Sequence, residues 1–358
     1  MIQRFHCAIP VLLLVSSLAV GGIRIDERFK QRWQAEKVSP MSDIPAATVA
    51  NLVDRHVVFV AGILNELTSC PQWFGGTNSY FINNISAVKQ LGMTYSWVGP
   101  SSAESFEDDA EDLYREIMGD KELGKLGIYA ENGGKPIILF AHSMGGATSL
   151  RLVLTHPSLI WDGVIDRVIL IEPAIGGSPM ASQKELSWVA RLGSQFFRPS
   201  LDSLTSEHAK TSFVSAVDSF MGYLSGFESD AERAEKFGTV HSKIFYVRSE
   251  ASPELLSFGV QWVQMICGTS LARFGAGDGL ILSKDQKLNG LGIDLGVTHG
   301  DHFGQTVGYF SNRSIFSIWS RETIRLQEAF TRAVLAQAYD LTQFEGCQIG
   351  VSWANDTG

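Results

Sequence analysis

The stretch PIILFAHSMGGATSLRLVLTH, residues 136 to 156, constrains the fold more than any other. An apolar run of strand length ends at a serine, turns on two glycines and restarts with helical spacing. A strand followed at once by a helix is half of a βαβ unit, so the stretch predicts a sheet strand with a helix on its face. Ala141, Ser143 and Gly145 also satisfy a small-x-Ser-x-Gly pattern. In a strand–turn–helix context this is a nucleophile elbow, in which a serine side chain stands proud of the sheet. The bend is strained, so the positions around the serine must be small; Ala141, Gly145 and Gly146 meet that need. The helix starting behind the serine favours developing negative charge there.

The rest of the chain repeats this alternation. HVVFVAG (56–62), TYSWV (94–98), DRVILIEP (166–173) and SKIFYVRSE (242–250) read as strands. SSAESFEDDAEDLYREIM (101–118) reads as a helix, with Ser101 and Glu104 as a capping box and Phe106, Ala110, Leu113, Tyr114 and Ile117 on one face. Alternating strands and helices predict an α/β class with a mostly parallel sheet covered on both faces. Residues 183–238 break the pattern. Trp188, Val189, Leu192 and Phe196, then Phe213, Val214, Val217, Phe220, Met221 and Leu224, fall at helical spacing with no strand among them. They read as a helical cap or lid, or as ordinary packing helices. The expected organisation is a leader at 1–22, an N-terminal extension at 23–50, a core at 51–182 and 239–345 interrupted by the 183–238 insertion, and a tail at 346–358.

The leader holds Arg4, an apolar run over 7–20, and Ser17, Ala19 and Gly21 where a signal peptidase would cut, so export to a periplasmic or extracellular location is expected. A net charge of −9 argues against nucleic acid as a partner. Of the cysteines beyond the leader, Cys70, Cys267 and Cys347, only one pair can form; Cys267 with Cys347 is the expectation. Asn84, Asn312 and Asn355 open Asn-x-Ser/Thr sequons.

A serine hydroxyl needs a base to take its proton, and the base needs a carboxylate to hold it in one tautomer. On this architecture the order is serine, acid, histidine. Downstream of the elbow helix lie His208, in the insertion, and His241, before a strand at its wrong end. His299 and His302 share a glycine-rich loop, GVTHGDHFGQTVG, so the base is one of these two. Asp278, between glycines in FGAGDGLIL and just before a short apolar run read as a strand, is the leading acid; Glu172, Glu250 and Asp294 are its rivals. For an oxyanion hole, Met144 supplies one backbone N–H, and Ile63 or Leu64 after the first core strand supplies the other.

These motifs together resemble the secreted bacterial triacylglycerol lipases of the α/β-hydrolase fold, over residues 56–182 and 242–310. VFVAGIL stands where that family has a strand and oxyanion loop, with Ala61 in place of the family's histidine. LFAHSMGG stands at the elbow, LIEPAIGGSPMA at the turn into the lid, GDGLI at the acid and THGDHFGQ at the histidine loop. The resemblance implies an α/β-hydrolase fold with a helical lid and a triad of Ser143, Asp278 and His299, favouring His299 over His302. It implies lipid acyl esters as substrate, met at a lipid–water interface, with no cofactor in the chemistry. In part of the family a structural calcium sits beside the histidine loop, at positions that here are Asp301 and Gln305; the alternative for Asp301 is a hydrogen-bond role fixing the loop.

Overall fold

The computed structural model describes residues 25–63, 80–99, 101, 104–120, 122–181, 198–267, 270–308 and 321–340. The expected leader at 1–22, Cys70, Cys347, Leu64, Asn312, Asn355, Trp188 to Phe196 of the expected insertion, and the expected tail at 346–358 lie outside these residues, as does the side chain of Cys267.

Six strands make one sheet: β1 (His56–Val60), β2 (Thr94–Val98), β3 (Ile137–His142), β4 (Ile165–Ile171), β5 (Ile244–Glu250) and β6 (Ile293–His299). Their order is β2-β1-β3-β4-β5-β6, and every neighbouring pair is parallel. The nine helices named here are α1 (Ile25–Val38), α2 (Ala46–Val53), α3 (Ile82–Gln90), α4 (Phe106–Met118), α5 (Met144–Thr155), α6 (Ser206–Ser225), α7 (Asp230–Lys243), α8 (Phe258–Cys267) and α9 (Arg321–Asp340). None of the described helices is long and apolar enough to cross a membrane.

Strands β1 and β3 are buried at every position, which is why they read as unbroken apolar runs. Side chains alternate between two cores. Val58, Val60, Leu139, Ala141, Val168 and Leu170 join one, under α4, α5, α6 and α7. Val57, Phe59, Ile138, Phe140, Ile169 and Ile171 join the other, under α1, α2, α3 and α9.

Three sequence expectations change. Helix α4 is capped by Ser105, whose Oγ accepts from the Asp108 amide; Ser101 and Glu104 instead form the turn before it. The apolar run after Asp278 is not a sheet strand but leads into a 3-10 turn at Ser283–Gln286, and the last strand is β6, part of which had read as loop. The Asn84 sequon is buried, and its Nδ2 already donates to Gln305 O at 3.0 Å and Thr331 Oγ1 at 2.8 Å, so it is closed to glycosylation in the folded chain. In the 183–238 segment, α6 turns Ala209, Ala216, Phe220 and Leu224 onto the first core.

Acidic residues in the first turn of α4 suit the helix dipole, but Asp109 is 2% exposed. Burial pushes its carboxyl up to about 8; Glu104, Asp112 and Asp108 add to the rise, and the Ser101 amide opposes it. The folded chain therefore holds a proton that the unfolded chain releases near pH 4, and stability falls as pH rises from there towards 8. Asp109→Asn removes that slope, which is at most about 1.4 kcal/mol per pH unit for one group. Urea unfolding across this range is expected to show the variant level with the parent near pH 4 and more stable at pH 8. Stability differences that do not grow with pH would refute the assignment.

Candidate active site

The carboxyl ends of the central strands collect the polar residues. Ser143 follows β3 and precedes α5 with φ 58° and ψ −124°, a positive φ that an L-residue adopts at a cost. Its conformation is held by neighbours: Ser143 N donates to Ile171 O at 3.1 Å, and Ser143 O accepts from Gly146 N at 3.0 Å and Ala174 N at 3.1 Å. The space around it admits no larger residue. A Cβ on Gly145 would lie 2.2 Å from Ala61 O and 2.6 Å from Val60 O. Gly145→Ala is therefore expected to push the β1 loop off the elbow, costing about 1–3 kcal/mol of stability. The same shift should lower any Ser143-dependent turnover by about 100-fold. Denaturant unfolding and steady-state kinetics read the two effects separately.

The imidazole against Ser143 belongs to His302. Its Nε2 is 2.8 Å from Ser143 Oγ, and its Nδ1 is 2.8 Å from Asp278 Oδ2. Asp278 also accepts from Leu280 N (2.9 Å), Ile281 N (2.8 Å) and Gln286 Nε2 (3.0 Å). With donors on both oxygens, Asp278 is an acceptor towards His302. Nδ1 of His302 then carries the proton, and Nε2 offers its lone pair to the serine hydroxyl.

This corrects the choice of His299. His299 is the last residue of β6, paired with Glu250 of β5, and its side chain is exposed. The chain must leave the strand before it can turn back over the sheet edge. Beyond the strand, the carboxylate of Asp301 accepts from the Ser257 and Phe303 amides, and His302 N donates to Asp278 O at 2.9 Å. The turn thus delivers residue 302, not 299, to the serine. Among the rival acids, Asp294 pairs with Arg248, and Glu250 ends β5. Glu172 lies close, with Oε2 3.5 Å from His302 Nδ1.

A second buried network stands behind the first. His142 Nε2 is 2.8 Å from His302 O and 3.1 Å from Glu172 Oε2. A carbonyl oxygen only accepts, so Nε2 of His142 carries its proton. The bare Nδ1 then accepts from the Tyr80 hydroxyl at 2.6 Å, and Tyr80 Oη accepts from Gly62 N at 2.9 Å. Burial, reinforced by His302, lowers the pKa of His142 well below the usual range and keeps it neutral. Nothing in the motifs pointed to Tyr80 or Gln286. His142 did leave a signal: strand alternation places it on the face of Ile138 and Phe140, where a polar group needs partners.

The donors at Asp301 and Gln305, where the resemblance implies calcium, are already engaged. Both Asp301 oxygens accept backbone amides, and Gln305 O accepts from Asn84 Nδ2. Burial pushes the Asp301 carboxyl up to about 6, with Asp278 adding to the rise against its amide donors. Among the described residues, the one cluster with metal-ligand spacing is His142, Glu172 and His302, which is committed to the hydrogen bonds above. The residues fit a loop clasp and do not fit a calcium site. Gly62 and Met144 flank the serine: a Cβ on Gly62 would lie 2.9 Å from Ser143 Cβ, and Met144 opens α5, with Ile63 the residue after Gly62.

The model of the serine aminopeptidase, S33 family (Hydrolase_4) matches residues 109–221. Among solved structures, a metagenomic carboxyl esterase superposes with a TM-score of 0.54 at 20% identity, over 80% of this chain and 76% of that one. The mature lipase BlEst2 of Bacillus licheniformis gives 0.47 at 20% identity, over 69% and 84%. The lipase of Staphylococcus hyicus gives 0.49 at 12% identity, over 82% and 97%. No curated protein matches in sequence. The parallel sheet, the elbow after β3 and the likeness to the esterase establish an α/β-hydrolase fold.

Proposed function

We propose that the chain is a serine carboxylic-ester hydrolase that works through an acyl-enzyme, with lipid acyl esters as its substrate class. The observation that carries this reading is the relay of Ser143 Oγ, His302 and Asp278, joined by two contacts of 2.8 Å at the carboxyl edge of the sheet. Ser143 Oγ attacks the acyl carbonyl carbon and His302 Nε2 takes its proton, while Asp278 stabilises the imidazolium. The oxyanion accepts from the Met144 and Ile63 amides, a term worth roughly 100- to 1,000-fold in kcat per donor. His302 then protonates the leaving alcohol. Water attacks the acyl-enzyme, giving its proton to His302, and Ser143 regains a proton as the acid departs.

Lipid esters as the class rest on the resemblance of the elbow, acid and histidine-loop motifs to bacterial lipases. Arg4, the apolar run over 7–20 and the small residues Ser17, Ala19 and Gly21 support a leader and export of the enzyme. The S33 match supports a second reading, since the same relay cleaves an activated amide.

The test is hydrolysis of p-nitrophenyl esters from short to long acyl chains, beside aminoacyl p-nitroanilides, with fluorophosphonate labelling of Ser143. Turnover that rises with acyl length supports the lipid reading, and preference for the anilides supports the peptidase. A folded sample that neither turns over an ester or anilide nor takes the label would end both. A competing alcohol in the assay separates hydrolysis from acyl transfer by its products.

A further inference from the structure

The relay leaves one buried carboxyl at its centre unused. Glu172, at the end of β4, has no exposure and takes a φ of 50°, so backbone strain is accepted to place it there. Its Oε2 lies 3.5 Å from the same His302 nitrogen that Asp278 binds at 2.8 Å. It faces His142 from β3, His302 and Asp301 from the base loop, Asp278 from the acid loop, and Ser249 from β5, with Thr298 of β6 behind Ser249. Burial and the charge of Asp278 hold it well above the usual carboxylate range, against the help of Ser249. Two carboxyls sharing one imidazole do not both ionise readily.

The hydroxyls beside it suit either state. Ser249 Oγ contacts Glu172 Oε1 and is 2.6 Å from Thr298 Oγ1, which reaches Arg248 O at 3.3 Å. A protonated Glu172 donates to Ser249, Ser249 to Thr298, and Thr298 to the carbonyl. An ionised Glu172 is served by rotating the Ser249 hydroxyl back towards it.

We propose that Glu172 is a second positioning carboxyl for His302, one that becomes the imidazole's counter-charge once the Asp278 carboxylate is removed. This rests on the hydrolase reading above. In a chain lacking the Asp278 carboxylate, the His302 Nδ1 proton turns to Glu172 Oε2. Burial and Asp301 still raise the Glu172 carboxyl, but the repulsion from Asp278 is gone, so it ionises at lower pH than in the parent.

The test compares full-length Asp278→Ala with Asp278→Ala/Glu172→Gln, reading kcat for a p-nitrophenyl ester against pH. The single variant is expected to keep at least tenfold more kcat than the double at pH 8. Its profile should carry a rising limb from Glu172 that the double lacks, with the two converging at low pH. Asp278→Ser, whose hydroxyl accepts from the Leu280 and Ile281 amides, gives a second background in which the same difference must appear. Equal rates and superimposable profiles in both backgrounds would overturn the proposal. A parent chain without turnover or Ser143 labelling overturns the hydrolase reading and this one with it.

Discussion

Ser143→Ala is expected to lower kcat for ester hydrolysis by about a millionfold, and His302→Ala by a comparable factor, while His299→Ala stays within about threefold of the parent. The first two remove members of one proton relay. The serine without its base is a neutral alcohol, and the base without its serine has no proton to take. Their effects are therefore not additive, and the double variant should be no slower than the worse single. His299 is exposed at the end of β6 and paired through its backbone with Glu250, so its truncation leaves the relay intact. Steady-state kinetics on the three variants, with fluorophosphonate labelling in parallel, separates the two histidines. If His299→Ala is the inactive one, the relay described here is not the one the enzyme uses.

The largest effect on stability is expected from Arg332→Leu. Arg332 and Glu36 are each buried to 1% exposure, and Arg332 Nε donates to Glu36 Oε2 at 2.7 Å. Arg332 Nη1 also donates to Gln90 Oε1 at 2.6 Å, so one guanidinium joins α9 to α1 and to the end of α3. Glu36 further accepts from the Met41 amide at 3.0 and 3.1 Å. Removing the cation strands a buried carboxylate, a change that costs about 3–5 kcal/mol, whereas replacing both partners by apolar residues of similar volume is often close to neutral. Denaturant unfolding should thus show Arg332→Leu strongly destabilised and Glu36→Leu/Arg332→Leu recovering much of the loss. A double variant as unstable as the single would mean that packing, not the stranded charge, sets the cost.

The sequence made legible what is encoded locally. Strands β1, β3 and β4 showed as apolar runs because both of their faces are buried. Strand β6 did not, since it is an edge strand interrupted by Asp294 and Gly296. Helix α9 was not among the elements read from the sequence; beyond Gln327 it is largely buried and carries Gln327, Arg332, Gln337 and Asp340 inside, polar residues that do not read as core. Ser143 and Asp278 were legible because an elbow and a Gly-Asp-Gly turn are short-range backbone features. The histidine that meets Ser143 lies three residues beyond the one the motifs favoured. Which of two nearby histidines arrives depends on where the last strand stops and on the Asp301 clasp, neither of which spacing reveals. Glu172 appeared among the candidate acids, but its 3.5 Å approach to His302 is purely tertiary.

The ion pairs between α1 and α9 also order the chain in time. Arg32 and Asp340 are 308 positions apart, and they meet as a buried pair with Thr48 alongside. During synthesis, α1 waits for α9 to be made, and its charged inner face has no resting place in the interval. Closure of the second core is thereby deferred until residue 340 has emerged, a delay that long-range contacts impose on any assembly route. A truncation that ends before residue 332 should leave α1 undocked and open to proteolysis, however well the central strands have paired.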